Sequence, residues 1–232
     1  MEFLIYRFIP DGDSRPRMQR YEMALHPHDR MLLDALERIR ATQDDSLAFR
    51  RSCHEGICGS DGMSINGRTG LACITPLASL REPVELRPLP GFPVIRDLVV
   101  DMTRFFQQYR SIRPYVIDDE PPPERERLQA PEERARLEGL YECILCACCS
   151  GFCPSYWWNP DRFLGPATLL QALRFIADSR DHATAERLHH LNEVYRLFRC
   201  RSIMNCTEVC PKHLNPARAI ELLKLRMVNA LI

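Results

Sequence analysis

The sequence predicts an α+β fold in two domains, a small mixed strand-and-helix domain over residues 1–105 and a helical domain over 106–232. Three observations carry that expectation. The first third holds short apolar segments of strand length around one amphipathic helix pattern. A charged, proline-containing stretch at 118–138 interrupts the pattern, and beyond it apolar residues recur at helical spacing. Finally, eight of the eleven cysteines fall between Cys143 and Cys210, so the later part must wrap around something that sulfur binds.

In order, Phe3 to Phe8 and Tyr21 to Leu25 have the composition of short strands. Met31 to Arg40 places Leu32, Leu33, Leu36 and Ile39 on one helical face. Asn66-Gly67 is a strong hairpin-turn signal, and Val84 to Leu86 supplies a further strand before Pro88. A helix is expected from Asp97, a residue type suited to an N-cap, with Val99, Met102, Phe105, Phe106 and Tyr109 along one face. Residues 118–138 run from Asp118-Asp119-Glu120 through three prolines into alternating Glu and Arg, a surface connection leading to a charged helix. Three stripes follow: Leu169, Leu170, Leu173 and Ile176 after Gly165-Pro166; Leu188, Leu191, Val194, Tyr195 and Phe198; and the end of the chain from about Pro216.

A net charge of zero gives no electrostatic footing for nucleic acid or an anionic membrane surface. No stretch approaches the ~18 apolar residues of a membrane span. The opening run is broken by Arg7, is followed by Asp11 and Asp13, and lacks the basic start and cleavage site of a signal peptide. A protein made in the cytosol is expected. An odd number of cysteines, with Cys148 and Cys149 adjacent, fits disulfides poorly and metal ligation well.

Two cysteine rows share one register. Cys143, Cys146, Cys149, Cys153 and Pro154 follow C-x-x-C-x-x-C-x-x-x-C-P; Cys200, Ile203, Cys206, Cys210 and Pro211 repeat it with isoleucine in the second position. That spacing holds two cubane iron–sulfur clusters, the fourth cysteine of each row ligating the other cluster. Cys143, Cys146, Cys149 and Cys210 then hold a [4Fe–4S] cluster. Cys153, Cys200 and Cys206 are left with an aliphatic fourth position, which predicts a [3Fe–4S] cluster. Cys148 falls outside the register and is expected as a small buried residue.

Upstream, Cys53, Cys58, Asp61 and Cys73 occupy the positions of a plant-type [2Fe–2S] loop, with the third cysteine replaced by aspartate. Gly56, Gly59 and Gly62 allow the backbone to turn its N–H groups toward sulfur. Asp61 is either a carboxylate ligand, harder than thiolate, or a turn residue beside a cluster whose fourth ligand comes from elsewhere. Its position favours ligation. His54 lies between ligands, but a Rieske site pairs two histidines and the loop has one. Zinc would use C-x-x-C pairs. It has no need of the doubled row, the C-P endings or the separate upstream loop. After Cys153 come Tyr156, Trp157 and Trp158, and Arg201 follows Cys200; tryptophans beside a cluster are most often packing, and the alternative is an aromatic wall, an indole N–H and a cation that could receive a polar quinone head group.

These residues resemble a known family over essentially the whole chain. R-R-S-C-H-E-G-I-C-G-S-D-G-M at Arg50 to Met63, N-G-R-T-G-L-A-C at Asn66 to Cys73, L-P-G-F-P-V-I-R-D-L-V-V-D at Leu89 to Asp101, L-Y-E-C-I-L-C-A-C-C at Leu140 to Cys149, C-P-S-Y-W-W-N-P, R-S-I-M-N-C and V-C-P-K are similar to the iron–sulfur subunit of succinate dehydrogenase, or respiratory complex II, of bacterial type. The resemblance implies an N-terminal β-grasp [2Fe–2S] ferredoxin-like domain and a C-terminal α-helical bacterial-ferredoxin-like domain. It implies a subunit between a flavoprotein and cytochrome b-type membrane anchors, peripheral on the cytoplasmic face of the bacterial inner membrane. Electrons would pass from FAD in the partner through the [2Fe–2S], [4Fe–4S] and [3Fe–4S] clusters to ubiquinone, serving the tricarboxylic acid cycle and aerobic respiration. Trp158 matches the tryptophan that contacts ubiquinone, with Trp157, Pro154 and Ile203 as expected neighbours. Arg201 stands where a histidine is expected, and no catalytic acid or base is implied in this chain. Fumarate reductase shares the architecture, but a two-iron site of four cysteines would be expected there. A free ferredoxin-like carrier and a zinc module are the other classes the residues admit.

Overall fold

The structure, a computed structural model, describes residues 1–10, 12–121 and 123–229. Asp11, Pro122 and residues 230–232, expected after the first strand, in the proline stretch and at the end of the last helix, lie outside the described residues. The chain divides into two compact units. The first comprises Met1–Met102, Ile144–Phe152 and Val209–Pro211; the second comprises Thr103–Cys143, Cys153–Glu208 and Lys212–Ile232.

In the first unit, β1 (Glu2–Arg7), β2 (Arg17–Glu22), β3 (Gly62–Ile65), β4 (Arg68–Leu71) and β5 (Val84–Arg87) form a sheet in the order β2-β1-β5-β3-β4. The β1–β5 pair is parallel and the others antiparallel. Period-two alternation turns Phe3, Ile5 and Arg7 into the interior. The second strand begins earlier than its composition suggested, because pairing from Glu2↔Glu22 to Arg7↔Arg17 fixes its register. A one-residue slip would turn Phe3 and Ile5 out of the core. Helix α1 (Leu32–Thr42) buries Leu32, Leu33, Ala35, Leu36 and Ile39. Its start is fixed by Asp34, which accepts the N–H groups of Arg30 and Met31 at 2.9 and 2.8 Å. Asn66 and Gly67 both take positive φ, 48° and 81°, as a two-residue hairpin between β3 and β4 requires.

The helix expected from Asp97 starts later. Asp97 lies in a turn with φ 46°, between β6 (Val94–Arg96) and β7 (Val99–Val100). Its carboxylate is claimed elsewhere: it accepts from Arg7 Nε at 3.0 Å and from the N–H groups of Phe8 and Ala48 at 2.9 and 2.8 Å. Arg7 can be buried at the end of β1 because it also reaches Asp44, Tyr21 and Ser46 Oγ, the last at 2.7 Å. Burial alone would raise the Asp44 carboxyl, but bonds from Ser46, Tyr21 and Arg7 outweigh it and hold Asp44 well below the usual carboxylate range.

In the second unit, α2 (Thr103–Ser111) precedes α3 (Pro131–Ala135), much shorter than the charged helix expected. The turn Cys148–Gly151, in the segment that belongs to the first unit, is α4. Then come α5 (Pro154–Trp158), α6 (Gly165–Ile176), α7 (Thr184–Leu191), α8 (Asn205–Glu208) and α9 (Pro216–Asn229). Helix α6 is buried almost throughout and packs against α9, α7 and α2. Gln108 on α2 accepts from Tyr156 Oη at 3.0 Å and donates to the carbonyls of Pro160 and Phe163 at 2.8 and 3.0 Å, tying α2 to α5 and its exit. The stripe expected through Phe198 stops at Leu191. Val194 is exposed, and Tyr195 lies under the Arg162 guanidinium, 3.8 Å from ring centre to Cζ. Buried Arg187 pairs with Asp181 and donates to the carbonyls of Ile112, Arg113 and Tyr115 at 2.6, 2.9 and 2.7 Å.

Asp97→Ala leaves the buried Arg7 guanidinium and two N–H groups short of acceptors. It should cost about 3–5 kcal/mol, read as a lower denaturant midpoint. The Asp44 contribution has the sign of a depressed carboxyl: it is complete above the unfolded value of ~3.9 and is lost as pH falls through the lower folded value. Asp44→Asn should therefore be destabilised near neutral pH, with its deficit against the parent shrinking as the medium is acidified below pH ~4.

Candidate metal centres

The first constellation lies on the loop before β3 and on the turn after β4, which carries Cys73. Cys53 Sγ accepts from the N–H groups of Ile57 at 3.3 Å and Cys58 at 3.2 Å. Backbone N–H groups, those of Glu55 first and then Cys58 and Ile57, lower the Cys53 thiol to about 6. His54, Gly56 and Gly59 take positive φ, which wraps the loop so that these groups face sulfur. Cys58 Sγ lies 3.2 Å from Ser60 Oγ. Burial, reinforced by the neighbouring Asp61, pushes the Cys73 thiol up to about 12. Asp61 is 2% exposed; its Oδ2 accepts from the Cys73 N–H at 2.6 Å, and its buried Oδ1 has no hydrogen-bond partner. An unsatisfied carboxylate oxygen at that depth is costly unless a cation completes it. Three sulfurs, this oxygen and converging N–H groups form a donor set suited to a two-iron cluster.

A second group lies on Ile144–Phe152, which belongs to the first unit. Leu145 and Ala147 are left-handed, so the chain twists at the residues before Cys146 and Cys148. Cys148 is fully buried and its thiol donates to the Cys146 sulfur. That bond raises Cys148 well above its ordinary value and lowers Cys146. The burial expected of Cys148 is thus found. Cys143, the last residue of the segment assigned to the second unit, carries enough potential to raise the Tyr109 hydroxyl after burial does.

The third group lies wholly within the second unit. Cys153 caps α5, where burial raises its thiol while the N–H groups of Tyr156 and Ser155 oppose that. Burial pushes Cys206 up to about 12, and Cys153 and Cys200 lie near enough to add to the rise. Ser202 and Met204, on either side of Ile203, both take positive φ. Ile203 is exposed, as are Arg201 and, at 68%, Trp158. Lys224 had no local sequence signal; from α9 its ammonium donates to the Cys200 carbonyl at 3.0 Å and holds this loop.

Each cysteine row is split between the units. Cys146 and Cys149 go with the first and Cys143 and Cys153 with the second, whereas Cys200 and Cys206 go with the second and Cys210 with the first. Among the described residues, no three His, Cys, Asp or Glu side chains converge closely enough to hold a single metal ion.

Two family models match this chain in succession. Residues 2–107 match the family model of a 2Fe-2S iron-sulfur cluster binding domain, and residues 142–215 that of a 4Fe-4S dicluster domain. The chain is 56% identical over 230 residues to the succinate dehydrogenase iron-sulfur subunit of Coxiella burnetii (strain RSA 493 / Nine Mile phase I), covering 99% of this chain and 97% of the relative. The chain belongs to the family of succinate dehydrogenase iron–sulfur subunits. The subunit of that name from Paracoccus denitrificans is 50% identical over 99% of this chain and 89% of its own length. Among solved structures, the Mycobacterium smegmatis Sdh1 complex in the apo form superposes with a TM-score of 0.86 at 27% identity, covering 99% of this chain and 95% of that chain.

As a succinate dehydrogenase iron–sulfur subunit, the chain is the electron-transfer part of an oxidoreductase complex, with a [2Fe–2S] domain followed by a [4Fe–4S]-type dicluster domain. The α+β fold expected from the sequence is borne out, and the free-carrier and zinc alternatives fall away. Among the described residues no helix is long and apolar enough to cross a membrane.

Proposed function

We propose that this subunit links an FAD-bearing flavoprotein to cytochrome b-type membrane anchors on the cytoplasmic face of a bacterial inner membrane, delivering electrons from succinate to ubiquinone. When bound, the clusters supply one-electron transfer between a two-electron flavin and a quinone. The protein's part is to hold, insulate and tune them. Cys53, Cys58, Asp61 and Cys73 hold the [2Fe–2S] cluster; Cys143, Cys146, Cys149 and Cys210 the [4Fe–4S]; Cys153, Cys200 and Cys206 the [3Fe–4S]. The functional domains are residues 1–105 and 106–232.

The observation that carries these ligand sets is the division of both rows between the units. Cys146 and Cys149 group with Cys210, and Cys153 groups with Cys200 and Cys206, as crossed ligation requires, while Cys143, the last residue of the preceding segment, groups with the second unit. Asp61 supports its own assignment through the buried oxygen that lacks a partner. At the third site, Ile203 supplies no donor, and losing one thiolate removes negative charge, which favours a higher potential where electrons leave. Trp158, exposed at the end of the helix that Cys153 caps, presents an indole N–H and an aromatic face to a quinone head group. Arg201, exposed beside Cys200, keeps a cation there.

Ile203→Cys tests the register. It restores a thiolate to the second row and should convert the three-iron electron paramagnetic resonance signal of the oxidised complex toward a four-iron one. An unchanged three-iron signal in protein of parental stability would count against this assignment.

A further inference from the structure

We infer that Gly59 is the contact that couples the two-iron site to the four-iron site, and that its missing side chain sets the gap between them. This rests on the ligand sets proposed above, with Cys58 on the first cluster and Cys146 on the second.

Gly59 directly follows Cys58, and its own surroundings are the loop that carries Cys146. A Cβ built on Gly59 would stand 2.8 Å from Cys146 Cβ, 3.0 Å from Cys146 Cα and 3.1 Å from the Ile144 carbonyl oxygen. The first of these distances is one that real Cβ atoms essentially never show. Gly62, three residues on, approaches the same cysteine: a Cβ there would lie 3.0 Å from the Cys146 carbonyl oxygen and 3.5 Å from Cys148 Sγ. Thr69 Oγ1 donates to the Cys148 carbonyl at 2.9 Å and pins the same segment against β4.

Conformation alone does not account for this. Gly59 has φ +67°, a region that asparagine and aspartate also enter. Gly67 has φ +81° with nothing within 4 Å of a built Cβ, so there the turn is the whole requirement. At Gly59 close approach is a second, separate requirement. From Cys58 Sγ the covalent path runs through Cβ, Cα and the carbonyl carbon to Gly59. One van der Waals gap then leads to Cys146 Cβ and its sulfur. One electron leaves the two-iron cluster, which is oxidised, and enters the four-iron cluster, which is reduced; no bond changes and no proton moves. Tunnelling falls exponentially with distance and is weakest across space, so the single gap governs the path.

The test uses the intact complex carrying Gly59→Ala, Gly62→Ala or Gly67→Ala. Two quantities are read: the magnetic interaction between the two clusters when both are reduced, and the rate at which an electron injected by flash photoreduction equilibrates between them. Gly59→Ala should weaken the interaction and slow equilibration severalfold. Gly62→Ala, whose backbone is unstrained, should act in the same direction and decides the matter if Gly59→Ala fails to load both clusters. Gly67→Ala, matched to Gly59→Ala in backbone strain, should change neither. Parental interaction and rate in loaded Gly59→Ala or Gly62→Ala would overturn the inference, as would equal losses in Gly67→Ala. Cys146→Ser is measured alongside: loss of the four-iron signal upholds the ligand set. Survival of that signal overturns the ligand set, and the coupling contact with it.

Discussion

A buried thiol resists ionisation, and the rest of this structure answers to that fact. Cys73 and Cys206 are pushed up to about 12 by burial, so neither becomes a thiolate without a positive charge beside it, which the proposed iron would supply. Cluster assembly and folding are therefore linked, because the metal that takes the sulfur also releases its proton. The loops meet this cost by turning backbone N–H groups toward sulfur, most fully at Cys53, whose thiol falls to about 6. Left-handed residues accompany the cysteines in all three loops: His54, Gly56 and Gly59 in the first, Leu145 and Ala147 in the second, and Ser202 and Met204 in the third. Most of these are not glycine, and their strain persists only where the surroundings hold it.

The same constraint explains why helices around the cysteines are short. Cysteines three apart would lie along one face of a continuous helix. Helices α4, α5 and α8 instead span four or five residues each, and breaks between them let one row supply both units. The regular part of the second unit, with α6 buried against α9 and α7, is the frame that the irregular part needs.

The chemistry was more legible in the sequence than the packing. Thiolate spacing is a local pattern, so the rows, the aspartate at position 61 and the isoleucine at 203 stand out without a fold. Strand and helix types were legible where apolar periodicity is strong, as in α1 and α6. Hidden were the residues whose role depends on distant partners. Arg7 looked like a break in an apolar run, yet it is buried because Asp44 and Asp97 meet it from far along the chain. Asp97 has the composition of a helix cap, and the demand of that buried guanidinium overrides it. Lys224 and Gly59 likewise show their contacts only once α9 and the Cys146 loop are in place.

Crossed ligation turns on Cys210, the last cysteine of the row whose other members are proposed to hold the three-iron cluster. Cys210→Ser, read by electron paramagnetic resonance of the intact complex at graded potentials, separates the two possibilities. Crossing predicts a lost or altered four-iron signal with the three-iron signal of the oxidised state preserved. Loss of the three-iron signal with the four-iron cluster intact would contradict it.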